Sequence, residues 1–263
     1  MKDIGKFYLS RHLIDELNSA ARLSFKSNVE NIETKMNKAR LIGYDVQGLD
    51  YHEKEDYIVK NRDSITLYSE YQIALPNDCR ELFAYTRFTG IDLNDVDTTE
   101  VETLTGWFAN MGLYGRVDEV VLSDLNIKAL YKADSLFSYS IINRLRLSNL
   151  YMPRLFAADF AFTYSNISRL EITNIEAESL YNITKHFKLA KIGRLDINNV
   201  DIRRVQLIDR LFYESNIKEL HIEKVRDDMI KIQDKKGVFD YSNIEKLETP
   251  DRYLNYIMSR KQA

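Results

Sequence analysis

A short pattern of alternating apolar and polar residues recurs along most of the chain. The clearest copy is Leu145-Arg-Leu-Ser-Asn-Leu150, which returns as Leu170-Glu-Ile-Thr-Asn-Ile175, Leu195-Asp-Ile-Asn-Asn-Val200 and Leu220-His-Ile-Glu-Lys-Val225. These copies begin at positions 145, 170, 195 and 220, an interval of 25 residues, and looser copies begin at 91 and 120. A fixed period of this size is typical of a solenoid in which similar units stack on one another.

Within each copy, the alternation predicts a β-strand with one buried face and one exposed face. Leu145 and Leu147 would point into the core, while Arg144 and Arg146 would point to solvent. An asparagine follows the strand pattern at positions 149, 174 and 199. This residue favours a turn, where its side chain can satisfy free backbone groups of the next unit.

Three further apolar columns keep the same period. Phenylalanine recurs at positions 83, 108, 137, 162, 187, 212 and 239. The second column is Val101, Leu130, Leu155, Leu180, Val205 and Ile230, and the third is Ile142, Ile167, Ile192, Ile217 and Ile244. Each unit is therefore predicted to contain a strand, a turn, a helical segment that carries the phenylalanine, and a return. The resulting fold would be an α/β leucine-rich-repeat solenoid with a parallel strand face and about seven coils of ~25 residues.

The residues before the repeats predict a helical cap. Ser10 can cap a helix with Leu13 and Leu17 on one face, and residues 27–30 form a capping box before a second helix. The apolar face of that second helix would contain Val29, Ile32 and Met36. We therefore divide the chain into an N-terminal helical cap with an acidic connector (1–63), the solenoid (64–250) and a C-terminal helical tail (251–263).

Two local signals mark the start of the solenoid. Ile65, Leu67 and Ile73 are separated by multiples of two, which predicts a strand between residues 64 and 76. Residues 78–81 (Asp-Cys-Arg-Glu) form another capping box, which predicts a short helix that carries Phe83.

Composition and charge exclude several classes of protein. The net charge is −3, so the chain as a whole has no electrostatic drive toward nucleic acid. The single cysteine, Cys79, excludes an intramolecular disulfide and is expected to be buried. Neither a signal peptide nor an apolar run long enough to span a membrane is recognisable. These features predict a cytoplasmic protein without a membrane partner.

The unit at 91–108 resembles a known repeat. Its sequence, Ile-Asp-Leu-Asn-Asp-Val-Asp-Thr-Thr-Glu-Val-Glu-Thr-Leu-Thr-Gly-Trp-Phe, is similar to the unit of the bacterial-surface, BspA-like leucine-rich repeat family. Later units keep the strand, the asparagine and the phenylalanine, so the resemblance spans about residues 65–250. Many members of this family are secreted adhesins, and the absence of a signal peptide here points to an intracellular variant. Similar arrays occur in small proteins of bacterial mobile elements, which include inhibitors of host defence.

The exposed strand face is the candidate binding surface. Arg144, Arg169 and Arg194 occupy one position in three consecutive units, where their charges would repel unless acidic neighbours offset them. The pattern allows either a solvated ladder of paired charges or a docking site for an acidic protein surface or a phosphate backbone. The predicted partner-binding residues are Arg144, Arg146, Arg169, Glu171, Arg194, Asp196, Glu219 and His221.

Aromatic residues form a second candidate surface. Tyr131, Tyr139, Tyr164 and Tyr181 recur at matched positions, with Phe156 between two of them. They are predicted either to pack on the outside of the core with the hydroxyl in water, or to form a lateral strip that binds protein.

Catalytic chemistry has little support in the sequence. The four histidines are scattered, and the spacings typical of metal ligands, phosphate-binding loops and nucleophile elbows are missing. We therefore predict no catalytic residue, no metal and no cofactor. The predicted function is a non-catalytic protein-binding module. The alternatives are a phage or mobile-element inhibitor that binds the protein subunits of a nucleic-acid-handling defence complex, and a structural protein that forms homodimers through its N-terminal helices.

Overall fold

The repeats form a parallel-strand β-solenoid of about six turns with very little helix. The computed structural model describes residues 6–17, 21–33, 35–36, 45–49, 56–61, 63–115, 117–201, 203–224 and 237–249. Within them, seven consecutive parallel strands, β7 to β13, are joined by six turns. The solenoid and its strand face are therefore confirmed, whereas the seventh predicted coil is not. The predicted C-terminal tail, 251–263, lies outside the described residues.

The described part of the chain contains one helix and thirteen strands with assigned bounds. In chain order these are β1 (Lys6–Tyr8), α1 (Arg11–Leu17), β2 (Arg22–Lys26), β3 (Asp45–Leu49), β4 (Asp56–Asn61), β5 (Ser64–Ser69), β6 (Gln72–Ala74), β7 (Gly90–Asp92), β8 (Val117–Ser123), β9 (Ile141–Tyr151), β10 (Asn166–Glu176), β11 (Lys191–Val200), β12 (Asn216–Glu223) and β13 (Asn243–Glu248). The main sheet has the order β13-β12-β11-β10-β9-β8-β7-β2-β5-β4-β3, and β1 pairs with β6 beside it.

The core consists of columns of identical or similar side chains. Leu145, Leu170, Leu195 and Leu220 lie in register on adjacent strands and are fully buried. Behind them, the seven phenylalanines form one continuous stack from Phe83 to Phe239. Neighbouring ring centroids are 5.1 to 5.6 Å apart and the planes are within 9° of parallel. The predicted apolar columns are therefore a shared core, as expected for a solenoid.

The segments that carry these phenylalanines are not helices. Each phenylalanine has a residue of positive φ two positions before it and two positions after it, for example Ser135 and Tyr139 around Phe137. Such residues interrupt a right-handed helix. The segments instead donate alternate N–H groups to the next turn, as Phe137 does to the Ala161 carbonyl at 2.7 Å. The helical segment predicted in each unit, including the one expected after residues 78–81, is therefore wrong.

The predicted asparagine turns are present, with different hydrogen bonds from those expected. Asn149, Asn174 and Asn199 have φ values of 53°, 54° and 53°, a conformation that asparagine tolerates better than most residues. Each side-chain Nδ2 donates to the side-chain oxygen of the residue one turn earlier, at 2.8 Å. That acceptor is Asp124 for Asn149. The column is therefore a ladder of side-chain amides and does not pair with backbone groups.

The N-terminal region is mostly sheet in its described residues, so the predicted helical cap is not confirmed. Helix α1 exists, with the Leu13 amide donating to Ser10 Oγ at 3.2 Å. However, β2 enters the main sheet between β5 and β7, and β3–β4–β5 extend that sheet as antiparallel neighbours. The cause is the alternation of buried Leu23 and Phe25 with exposed neighbours, a strand pattern in a segment predicted as helical.

The second predicted helix lacks its capping box. The Ser27 hydroxyl accepts a hydrogen bond from the Ile73 amide at 3.0 Å and also donates to the Asp95 carbonyl, so it ties two turns together. The predicted apolar residues Val29, Ile32 and Met36 are buried against Tyr57 and Val59 of β4.

The predicted strand between residues 64 and 76 is observed as β5 and β6, with Ile65, Leu67 and Ile73 buried. Cys79 is buried as expected, and burial raises the pKa of its thiol to about 12.

Candidate functional site on the strand face

The exposed strand face gathers the predicted charged residues on adjacent strands. Arg144 of β9, Arg169 of β10 and Arg194 of β11 are direct neighbours in the parallel register. The adjacent column runs through Arg146, Glu171, Asp196 and His221 to Glu248. The structure therefore brings all the predicted partner-binding residues together on one surface.

Carboxylates separate the arginines along this surface. Glu171 contacts Arg169 at 2.7 Å and Arg146 at 3.0 Å, and Asp196 contacts Arg194 at 2.9 Å and Arg169 at 3.6 Å. The carboxylates are mostly covered by the arginine side chains: Glu171 is 20% exposed and Arg169 is 50% exposed. Mutual repulsion between the arginines is thus offset within the face itself.

The ion pairs continue to both ends of the face. Glu119 contacts Arg144 at 3.3 Å and Arg22 of β2 at 3.5 Å. Glu219 contacts Arg194 at 3.2 Å. Within the described residues this network contains six arginines and lysines and five carboxylates, together with His221. Its two signs of charge are therefore nearly balanced.

His221 closes the network near β13. Its Nδ1 lies 2.9 Å from Glu248, and its Nε2 lies 3.6 Å from Glu219, which is too long for a hydrogen bond. A hydrogen bond from Lys246 lowers the pKa of the Glu248 carboxyl. The described residues contain no cluster of three or more histidine, cysteine or acidic side chains able to hold a metal ion.

A shallow polar groove of about 250 Å³ lies at the centre of the face. It is lined by Arg169, Glu171, Thr173, Arg194, Asp196, Ile197, Asn198, His221 and Glu223. Two polar atoms here, Asn198 Oδ1 and His221 Nε2, are buried without a hydrogen-bond partner among the described residues. Since buried polar atoms usually have hydrogen-bond partners, the environment of these two atoms is unfavourable.

The aromatic residues form two stacked strips away from the strand face. Phe156 lies between Tyr131 and Tyr181 at centroid distances of 5.6 and 5.2 Å, and Tyr139 stacks on Tyr164 at 4.8 Å. Tyr131 and Tyr139 are 54% and 50% exposed, so at least one ring edge of each faces solvent.

Two titratable groups between the turns were not singled out by the sequence. Asp159 accepts hydrogen bonds from the Thr184 amide and from Asn182, while burial and the charge of Asp134 raise its pKa to about 6. His186 donates from Nδ1 to the Ala158 carbonyl at 2.6 Å, and burial lowers its pKa to about 4. Both residues tie neighbouring turns together. For His186 a sign was available, because Leu136, Ala161 and Leu211 occupy the same position in neighbouring units. Asp159 belongs to a polar column, with Asp134, Thr184 and Asp209, and that column gave no sign of burial.

Comparison of the chain with family models, with characterised proteins and with solved structures gave no match. By its fold and its strand face, the protein is a parallel-strand β-solenoid with an open, charged sheet. None of the described helices is long and apolar enough to cross a membrane.

Proposed function

We propose that this protein is a non-catalytic binding module that docks a partner protein on the strand face of β8–β13. We also propose that the solenoid is of the leucine-rich-repeat type, as the resemblance of its units to the BspA-like repeat implies. The observation that carries the proposal is the row of partly exposed, in-register arginines, Arg144, Arg169 and Arg194, beside the central groove.

The chemistry of the groove indicates what the partner supplies. Its rim carries both guanidinium and carboxylate groups, so the partner would supply hydrogen-bond acceptors to the former and donors to the latter. Around the groove, Arg169 and Arg194 are already ordered by Glu171 and Asp196. An ordered side chain loses less rotamer entropy when it contacts a partner.

The charge balance of the face favours a protein over a nucleic acid. A phosphate backbone would meet the carboxylates of Glu119, Glu171 and Asp196 beside every arginine. A protein surface can place both signs of charge opposite this pattern. The partner could itself be a subunit of a nucleoprotein complex, in which case the module would act as an inhibitor or a bridge.

Affinity purification with the full chain as bait, followed by binding measurements on the purified partner, tests this site. Substitution of Arg144, Arg169 and Arg194 together by alanine should weaken binding by at least about tenfold, because each arginine lies on the docking surface. The matched control is Arg80→Ala with Arg203→Ala. These two arginines each pair with an aspartate two residues away in the sequence, as Arg194 does with Asp196, but lie outside the strands.

Equal affinity of the triple variant and the control would place the partner elsewhere and contradict the proposal. A salt titration identifies the class of partner. Binding of nucleic acid should weaken steeply as salt rises, whereas protein docking should weaken much less.

Our proposal does not include a homodimer through the N-terminal helices. Leu13, Ile14 and Leu17 of α1 are buried in the main core, and Val29, Ile32 and Met36 are buried against β4. These described apolar residues already pack against their own chain.

A further inference from the structure

The interior of the solenoid contains an apolar cavity of about 220 Å³. Its lining begins at Leu104 and Trp107, in the turn after β7, and reaches Val238, just before β13. Adjacent strands are ~4.8 Å apart, so the cavity extends over about 24 Å along the solenoid axis. A volume of this size over such a length describes a narrow tunnel.

Small residues in two columns create the space. For the five phenylalanines from Phe108 to Phe212, the residues four positions earlier are Leu104, Ala133, Ala158, Ile183 and Ile208. The residues one position earlier are Trp107, Leu136, Ala161, His186 and Leu211. Alanine therefore stands at three positions where neighbouring turns place a large side chain. All three alanines are buried and line the cavity.

The accessibility of the inward-facing residues confirms that the space is open. Ile172 and Ile197 lie in register between Leu147 and Ile222, which are both buried. Nevertheless, Ile172 retains accessible surface and lines the cavity, and so does Ile197, which also borders the groove on the strand face. His186 also retains accessible surface although protein surrounds it on all sides, so that surface faces the cavity.

One hydrogen-bond donor in the lining lacks an acceptor. Trp107 is 1% exposed, and its indole Nε1–H has no hydrogen-bond partner among the described residues. The indole N–H can only donate, and a buried donor without a partner is unusual. Trp107 thus places a buried, unsatisfied N–H group within the wall at one end of the apolar tunnel.

His186 supplies a second polar group about three turns away. Because Nδ1 donates to the Ala158 carbonyl, the neutral ring presents Nε2 as an acceptor. The lowered pKa, about 4, keeps the ring neutral at physiological pH. The tunnel wall therefore carries no charge to pair with a charged ligand.

From this geometry we propose that the tunnel is a binding site for a slim, linear, uncharged aliphatic molecule. An apolar cavity of this size stays dry and binds apolar molecules. A linear chain can follow a narrow tunnel, whereas a compact ring would fill only part of it. An ionised carboxylate would lose its hydration without gaining a counter-charge, so the ligand is neutral.

The probe for this site is 1-octanol, and octanoate of the same chain length is the charged comparison. Trp107 is the single tryptophan of the chain, so its fluorescence and its indole N–H resonance report on the tunnel directly. Octanol should change both signals saturably and raise the thermal midpoint by on the order of 3 °C at about tenfold excess over its Kd. Octanoate at neutral pH should do neither.

Two neighbouring alanines provide a matched pair of variants. Ala158 is buried in the lining, whereas Ala157 is partly exposed and does not line the tunnel. Ala158→Leu should weaken octanol binding by about tenfold or more, since it fills the space, and Ala157→Leu should leave the binding unchanged. If Ala158→Leu does not fold, Ala158→Val adds less volume and makes the same comparison. Equal octanol binding by the wild type and the Ala158 variant, or no saturable binding by the wild type, would overturn the site.

Discussion

The phenylalanine stack in the interior and the arginine column on the strand face are products of the same repeat, yet repetition has opposite consequences in the two places. Each added phenylalanine buries apolar surface against the previous ring, so similar neighbours stabilise one another. Each added arginine brings a like charge close to the last, and Glu171 and Asp196 are needed between them. A repeat protein can therefore copy an apolar column freely, but it can copy a charged column only together with its counter-charges.

The largest expected effect comes from interrupting the phenylalanine stack. Phe162 is 1% exposed and stacks on Phe137 and Phe187, so Phe162→Ala should destabilise the protein by about 3–5 kcal/mol. Urea unfolding followed by circular dichroism measures this loss. The control is Phe156→Ala. Phe156 is stacked on Tyr131 but is 39% exposed, so its loss should destabilise the protein by only about 1 kcal/mol. Equal losses would show that the interior stack has no special contribution.

A charge in the interior should destabilise the folded protein, whereas charged side chains are tolerated on the strand face. The pKa of His186 is about 4 in the folded chain and 6.5 in the reference state, so below pH 6.5 the unfolded chain binds a proton that the folded chain does not. Stability should therefore fall by about 2 kcal/mol between pH 7 and pH 5 through this residue. His186→Leu, which copies Leu136 and Leu211 of the same column, should remove that component. A pH dependence identical to that of the wild type would contradict it.

Asp159 should act in the opposite direction over the same pH range. Its folded pKa of about 6 exceeds the reference value of 3.8, so the folded chain binds a proton first as the pH falls. Acidification from pH 7 to pH 5 should then stabilise the protein through this residue by less than about 1 kcal/mol, because Asp159 is only half-buried. Asp159→Asn should therefore make the acid-induced loss of stability steeper. Denaturant midpoints at several pH values measure the difference.

The asparagine ladder is intermediate between the phenylalanine stack and the arginine column, because its side chains are polar but neutral. Asn174 holds a φ of 54° and exchanges side-chain hydrogen bonds with Asn149 and Asn199, so Asn174→Ala should cost about 1–2 kcal/mol. Asn174→Gly also removes the hydrogen bonds but tolerates the positive φ, and it should cost less. If Asn174→Gly and Asn174→Ala lose the same free energy of unfolding, the positive φ does not contribute to the loss.

The smallest effect on stability is expected on the strand face. Glu171→Gln leaves Arg146 and Arg169 without their shared carboxylate, yet these side chains are about half exposed. The loss should be below about 1 kcal/mol and should shrink further at high salt. A loss above about 2 kcal/mol would show that the face is a structural element and not an adaptable surface.

The parts of the structure that repeat were predictable from the sequence, because similar residues at a fixed period must occupy similar positions. The strand register, the buried leucines and the phenylalanine stack follow from that argument, as do the neighbouring positions of Arg144, Arg169 and Arg194. Glycine at positions 106 and 237 was the available sign that the phenylalanine segments contain positive φ angles. Elsewhere Ser135 and Tyr139 adopt them, and these residue types carry no such signal.

The parts that depend on distant pairing or on missing volume were not predictable. Strand β2 is short, and its partners β5 and β7 lie about 40 and 70 residues further along the chain. No local pattern indicates such a pairing. The tunnel depends on Ala133, Ala158 and Ala161, and an alanine in a core column looks ordinary until the space around it is known.

The position of β2 has a consequence for how the array can be shortened. In an ordinary repeat array, terminal units can be deleted one at a time, since each contacts only its neighbours. Here residues 22–26 lie between β5 and β7, two strands that come later in the chain. Removing this segment would therefore split the sheet internally and leave two unpaired edges facing each other. Truncation from the N-terminal side is thus a cut through the middle of the sheet, whereas truncation from the β13 side removes an outer strand.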